Sequence, residues 1–370
     1  FGYSKELLRQ KLAAKAAEKL NCPVIYLNQV GANDELIFDG SSFVINPNGE
    51  IILSLPKCRE HLAIWNSNET VKLNSSSVIS PEEQLFRALV LGVKDYSKKC
   101  GFNSALIGLS GGIDSALVAT IAAASLTPQK VTAILMPSPW SSNHSVDDAL
   151  GLATRLNIKT NTVPIHDLMN SFNSALLNPL KELPKGLTAE NLQSRIRGTL
   201  LMAIANQKQH LLLSTGNKSE FAMGYCTLYG DMNGGLSVIG DLYKTSVFKL
   251  CEWLDSEHSY KCRKSFTLPQ RGELIGSQIR TKAPSAELKP NQLDSDSLPE
   301  YELLDPILKD LIEKRLSTQK LIKKGYDKSL VEKIQSLLKK SEFKRRQAPP
   351  LLKISAQAFG SGWRIPIASK

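Results

Sequence analysis

The sequence predicts an α/β fold, a doubly wound parallel sheet preceded by part of a smaller helix-and-sheet layer, and three observations carry that expectation. From about residue 80 apolar strand runs alternate with helical runs of crossover length, the pattern of βαβ units whose parallel sheet is covered on both faces. A glycine-rich turn, Gly108-Leu109-Ser110-Gly111-Gly112-Ile113-Asp114-Ser115, follows the first of these strands and opens a helix. Residues 1–55 read differently, as one helix followed by short strands and a hairpin. The 370 residues also exceed what one core usually serves, since single cores stop growing at about 250–300 residues, so two units are expected.

In chain order, residues 4–20 place Leu7, Leu8, Leu12, Ala16 and Leu20 on one helical stripe. Strand-like runs follow in CPVIYLNQV, LIFDGSSFVI and EIILSL, the last two joined through Asn46-Pro47-Asn48-Gly49, whose Pro and Gly suit a tight reversal. We place the first unit at 1–65 and read the polar, Ser/Asn-rich stretch 66–79 as a linker. Ser80-Pro81-Glu82-Glu83 then opens a helix, with Ser as N-cap, Pro in the first turn and acids at the positive dipole end. Strands are expected at 104–109, 131–136, 161–165 and 210–214, with helices at 113–125, 145–156 and 189–206 between them. Residues 222–240 and 264–299, rich in Gly, Pro and Ser, read as long functional loops, and the remainder of the second unit, 80–370, as a basic helical tail.

Composition excludes several classes. Apolar residues at 42% and charged residues at 22% describe a globular chain, and the longest apolar run, Ala116 to Leu126, falls short of the roughly 20 residues of a membrane span. Residues 301–370 hold 16 Lys/Arg and 7 Asp/Glu, so +9 of the net +11 sits in the last stretch. Such an excess fits phosphate-bearing ligands or a solvated helical face. The six cysteines form no C-x-x-C and no secretory leader is visible, so a reducing, cytoplasmic compartment is expected. The chain opens Phe1-Gly2-Tyr3 without methionine, which reads as processing or as a fragment.

The chemistry is written most sharply in residues 108–115. Glycines let the backbone approach phosphate oxygens, N–H groups at the helix start point at them, and Ser110 and Ser115 add hydroxyls. Asp114 would repel phosphate unless a Mg²⁺ sits between them. Neither the Walker A spacing nor G-x-G-x-x-G is present.

S-G-G-x-D-S resembles the pyrophosphate loop of ATP-pyrophosphatases, which split ATP between its α and β phosphates. Met136-Pro-Ser-Pro-Trp-Ser-Ser142, Asn191-Leu-Gln-Ser-Arg195-Ile-Arg197-Gly198, Ser214-Thr-Gly-Asn-Lys-Ser-Glu220, Tyr225 to Asp231, Lys244-Thr245, Pro284 to Leu288, Ser297 to Tyr301 and Lys344 to Pro350 follow the NAD synthetase pattern in order and spacing. Residues 1–55 resemble the last part of a nitrilase-type glutaminase domain, through N-Q-V-G-x-x-x-E-x-x-F-D-G-x-S. Together they resemble the glutamine-dependent, two-domain form of that family.

The resemblance implies an adenine nucleotide alpha hydrolase-like sheet preceded by part of an α-β-β-α domain. It also implies amidation of deamido-NAD to NAD through an adenylated intermediate, with ATP as co-substrate, Mg²⁺ as cofactor, AMP and pyrophosphate as products, and, in the intact protein, ammonia drawn from glutamine. Carried over by position, Gly108, Leu109, Ser110, Gly111, Gly112, Ile113, Asp114, Ser115, Thr215 and Lys244 would bind ATP, and Asp114 with Glu220 would hold Mg²⁺. Asn191, Arg195, Glu220 and Lys344 would face deamido-NAD, Asp231 would act beside the attacking ammonia, and Lys5 would contact glutamine. A homo-oligomer built on a dimer is implied, with no membrane or nucleic-acid partner. The family's glutaminase Glu, Lys and Cys have no counterpart in this sequence. Gly230-Asp-Met-Asn-Gly-Gly235 replaces the G-D-G-G of the ammonia-dependent form, and Trp140 a usual tyrosine, both in keeping with the two-domain branch. An RNA-modifying enzyme of the lysidine or thiouridine type, using the same loop, is the alternative.

Overall fold

The structure is a computed structural model that describes residues 1–2, 5–68 and 79–368; Ser4 and most of the expected linker lie outside the described residues. The first layer comprises α1 (Lys5–Leu20), β1 (Val24–Tyr26), β2 (Val30–Asn33), β3 (Leu36–Asp39), β4 (Phe43–Ile45) and β5 (Ile51–Ser54). Helix α1 covers an antiparallel sheet of order β1-β4-β5, and β2 and β3 form a separate hairpin. The two longer strands expected here each break in two. Gly40 and Ser41 adopt left-handed φ of 63° and 53°, and the Asn28 amide donates to Gly40 O at 2.8 Å, which pins both breaks together.

The leucine stripe of α1 does not face its own sheet. Ala13 and Ala17 pack on Phe43 and Ile45, because small side chains bring the helix close to the strands, while Leu7, Leu8, Leu12 and Leu20 stay exposed. The β2–β3 hairpin belongs to the other side of the molecule: Ala32 and Ile37 join the main core, and Ala32 N donates to Asp95 Oδ2 at 2.8 Å.

The second unit opens with α2 (Pro81–Lys99), capped as expected by Ser80, whose side chain accepts from Glu83 N. Then follow β6 (Ala105–Gly108), α3 (Ile113–Leu126), β7 (Val131–Leu135), α4 (Asn143–Leu156), β8 (Lys159–Thr162), α5 (His166–Leu180), α6 (Leu187–Lys208), β9 (Leu211–Ser214), α7 (Lys218–Met223) and β10 (Leu236–Ser237). All five strands run parallel in the order β10-β9-β6-β7-β8. The chain winds outward from β6 through β7 to β8 and then returns to the other side of β6, so the sheet is doubly wound with its switch point between β6 and β9. Ligands of such sheets bind beyond the carboxyl ends of the strands at that point.

Strand periodicity divides the core. Ala105, Ile107, Val131, Ala133, Leu211 and Leu213 face α2 and α3, whereas Leu106, Ile134 and Leu212 face α6. Helix α3 is buried almost all round, as its run of Ala, Leu, Val and Ile requires. Helix α5 was not expected from the sequence and buries none of its side chains.

Beyond the sheet lie α8 (Lys244–Asp255), α9 (Tyr260–Ser265), α10 (Ser277–Thr281), α11 (Tyr301–Ile312), α12 (Thr318–Lys323), α13 (Lys328–Lys340) and α14 (Glu342–Arg345). The basic tail builds a second core: Val331, Ile334 and Leu338 of α13 turn inward beside Phe221 and Leu304, and Lys333, Lys339 and Lys340 point to solvent. Much of the charge excess is therefore a solvated face. No described helix is long and apolar enough to cross a membrane, and all six cysteines are unpaired.

Candidate active site

A cleft of about 300 Å³ opens at the carboxyl ends of β6, β7 and β9. Its floor is the glycine turn. Gly111 has φ of 80°, and a Cβ there would lie 2.1 Å from Ser145 O, so only glycine lets the turn pass α4 this closely. Ser115 Oγ bonds Gly112 O at 3.0 Å and Ser110 Oγ at 3.1 Å, which fixes the turn, while Ser110 stays exposed to the cleft. No side chain caps the N-terminus of α3 at Gly112, which leaves an anion-binding helix end.

Four elements place charge at one flank. Asp114 comes from α3, Glu220 from α7 and Lys244 from the start of α8, and Lys244 Nζ pairs with Asp114 Oδ2 and lies 3.8 Å from Glu220 Oε1. Asp294, from the loop before α11, contributes a buried carboxyl held by Tyr301 Oη at 2.8 Å. Burial, and then the field of Asp114, raises the Glu220 pKa well above the carboxylate range. Burial alone would weaken the Lys244 ammonium, but Asp114 and Glu220 outweigh it and raise its pKa.

Asn217 ties the acids together. It caps α7 reciprocally with Glu220, accepting from Glu220 N at 3.0 Å while its own N–H donates to Glu220 Oε2 at 3.1 Å. Its Nδ2 also donates to Asp114 Oδ1 at 3.0 Å. Sequence reading did not single out Asn217 or Asp294, although the Asn-x-x-Glu spacing of a capping box was visible. The neighbouring Lys218, by contrast, is wholly buried and structural: it bonds Asp241 at 2.8 Å, Ser355 at 2.7 Å and Gln357 O at 2.8 Å, pinning the C-terminal segment.

Asp231 stands on the opposite wall, in a turn that approaches α6 closely because residue 198 is glycine; a Cβ there would lie 2.8 Å from Gly230 O. Asp231 is exposed to the cleft, and desolvation by the walls crowded around it pushes its carboxyl up to about 6, against the N–H of Thr227 (2.7 Å) and the field of Lys344. Met232, one of the residues by which this turn departs from G-D-G-G, plugs into the second core and anchors it.

The structure thus gathers residues 108–110 and 112–115, Thr215, Glu220, Asp231 and Lys244 around one cleft, with Gly111 beneath it. Other expected residues lie outside its lining. Asn191 accepts from Thr227 Oγ1 at 2.9 Å, Arg195 is exposed with Nε on Leu228 O at 3.2 Å, and Lys344 Nζ donates to Gly224 O and Cys226 O, both at 2.7 Å. Lys5 is exposed on α1.

A family model described as NAD synthase matches residues 85–348. The chain belongs to the NAD synthase family. It is 53% identical to a glutamine-dependent NAD(+) synthetase of Synechocystis sp. over 100% of this chain and 64% of that protein. With the enzyme of that name from Rhodobacter capsulatus it shares 42% identity over 99% of this chain and 66% of the relative. The chain therefore spans about two thirds of the length of these relatives. Among solved structures, the glutamine-dependent NAD+ synthetase of Acinetobacter baumannii in complex with ADP superposes with a TM-score of 0.71 at 38% identity, over 99% of this chain and 66% of that one. The glutamine-dependent NAD(+) synthetase of Cytophaga hutchinsonii, at 21% identity, shares the fold with a TM-score of 0.81 over 100% of this chain and 67% of its own.

Proposed function

We propose that this NAD synthase family chain amidates deamido-NAD to NAD at the expense of ATP. The observation that carries the reading is the convergence, at the sheet's switch point, of an uncapped helix end, an Asp114–Glu220–Lys244 cluster and the Asp231 carboxyl on the facing wall. A carboxylate oxygen of the nicotinate ring attacks the α-phosphorus of ATP; the new O–P bond forms as the Pα–O–Pβ bond breaks, and pyrophosphate leaves with the bonding pair. Ammonia then attacks the acyl carbon, the C–O bond to the adenylate breaks, AMP leaves with that pair, and the proton shed by nitrogen passes to Asp231 or to water.

The residues fit Mg²⁺. Two carboxylates supply hard oxygen ligands, they already converge on one cation, the Lys244 ammonium, and Mg²⁺ characteristically takes one or two carboxylates plus substrate phosphates. Asp114 and Glu220 would hold it, and when bound it would neutralise charge on the departing pyrophosphate. The protein's own part is positional: the turn 109–112 cradles phosphate oxygens, Lys244 faces them, and Asn217 fixes the two acids.

Asn191, Arg195 and Lys344 as deamido-NAD contacts, Lys5 as a glutamine contact, glutamine as the nitrogen source of the full-length protein, the unit boundaries at 65 and 80, and a cytoplasmic location belong to the same reading. A dimer is supported by α5, whose Leu168, Phe172, Leu177 and Leu180 are exposed next to the segment bearing Asn191 and Arg195. The relatives named above are all NAD synthetases, so RNA modification is not favoured. The test is NAD formation from deamido-NAD, ATP, Mg²⁺ and ammonium, with AMP and pyrophosphate appearing in equal amounts. Release of ADP and phosphate, or ATP cleavage indifferent to deamido-NAD, would overturn the reading.

A further inference from the structure

Arg197 lines the cleft from α6, a residue to which neither the sequence motif nor the geometry described so far gives a task. Its Nε donates to Met136 O at 3.1 Å, at the carboxyl end of β7, and this bond fixes the plane of the guanidinium. Its terminal nitrogens make no hydrogen bond, and no ion pair, with any described residue. The nearest opposing field is that of Glu287, which is engaged elsewhere, by Ser142, Ser145 and Lys282. Burial lowers the guanidinium to about 10, against the field of Glu287, so it is still charged at neutral pH.

Structural arginines in this protein look different. Arg263 spends its fork on the carbonyls of Leu254, Pro269, Arg271 and Gly272, and Arg345 on Glu342 and three carbonyls. A half-buried guanidinium whose fork opens into the cleft has only solvent to donate to there, and an anion in the cleft would complete it. Its position says which anion. Helix α6 covers the face of the sheet opposite α3 and α8, so Arg197 enters from the flank across from Lys244. One turn earlier on the same helix, Ser194 Oγ accepts from Asp231 N at 3.0 Å, which puts Arg197 on the amide-forming side of the cleft.

We propose that Arg197 binds the α-phosphoryl oxygens of ATP and of the acyl-adenylate, as the catalytic partner across the cleft from the pyrophosphate-facing Lys244. The proposal rests on the function proposed above. Arginine suits the task because its planar fork takes two phosphoryl oxygens at once, whereas lysine offers a point charge. The Arg197 fork would hold the phosphoryl group through both bond exchanges, taking up negative charge as the α-phosphorus is attacked and keeping AMP in place until the acyl C–O bond has broken.

The test is calorimetric titration of the full 370-residue chain, and of its R197M and R197K variants, with adenosine, AMP and Mg²⁺-ATP. In R197M, AMP and ATP should each bind about 10- to 100-fold more weakly, while adenosine is unchanged. R197K should fall between, and with it kcat should drop while the KM for ammonium stays. If adenosine weakens in step with AMP, Arg197 is structural. If ATP alone weakens, it faces the β or γ phosphate. Equal binding by wild type and both variants overturns the proposal and leaves the function standing, whereas a wild type blind to AMP and ATP alike overturns both. Should R197M fail to fold, R197K carries the same comparison.

Discussion

Replacing Asp114 with Asn separates what this carboxylate does for folding from what it does for turnover. Asp114 makes an ionic contact to Lys244 and accepts a hydrogen bond from Asn217 Nδ2. The amide keeps an oxygen for Asn217 and loses the ionic contact, which is of a kind worth about 1.5–3 kcal/mol. Against this stands relief: burial, and then the field of Asp114, hold Glu220 above its ordinary range, so removing the Asp114 charge lets Glu220 ionise more readily and pair with Lys244, already 3.8 Å away. The net destabilisation should stay below about 2 kcal/mol, a melting shift of a few degrees. Turnover has no such compensation, because a neutral amide cannot balance a divalent cation at the pyrophosphate. Removing one preorganised electrostatic partner of a transition state costs about 10²–10³ in kcat. Initial rates of NAD formation across a Mg²⁺ series, alongside a thermal melt, read both quantities. Near-normal turnover with unchanged Mg²⁺ dependence would refute the metal assignment, and loss of the folding transition would refute the compensation.

Four further outcomes are expected. With Asp231 pushed up to about 6, its ionised form is lost as pH falls through that value, so ammonium-dependent turnover should show an acid limb near pH 6; D231N should remove the limb and lower kcat by about 10²-fold without raising the KM for ATP. Because the folded state favours the protonated acid, ionising Asp231 costs stability as pH rises from about 4 to about 6, so D231N should melt no lower than wild type at pH 7, and a marked drop would contradict the sign. Lys218→Met leaves Asp241 without its ionic partner in a fully buried site, which should cost roughly 3–5 kcal/mol in urea unfolding; a change under about 1 kcal/mol would mean that Ile354 N, Ser355 N and Ser355 Oγ satisfy Asp241 alone. Gly111→Ala must both hold a positive φ and displace Ser145 O, so the ATP KM should rise more than about tenfold, and an unchanged KM would place the nucleotide away from this turn.

What the sequence determined alone is what short-range physics determines. The phosphate turn lies between one strand and one helix, Ser80 caps α2 through Glu83 N three residues on, and continuous apolar runs mark the strands β6, β7 and β9 between helical runs, so these elements were legible from neighbours along the chain. The types of the site residues were legible in part for the same reason, since Asp114, Thr215 and Glu220 each sit at a strand-to-helix junction. Their meeting was not. Asp114, Asn217, Glu220, Lys244 and Asp294 span 180 residues of sequence and converge only because parallel crossovers return every strand end to one edge of the sheet. The same holds where pattern and structure part. Helix α6 turns Arg197 inward and Arg195 outward although both lie in one motif, because two residues on a helix are about 200° apart. The leucines of α1 form a stripe that any helical wheel would bury, yet alanines fit against the short sheet and the leucines are left exposed; periodicity says that a helix has two faces, and only packing decides which of them the protein uses.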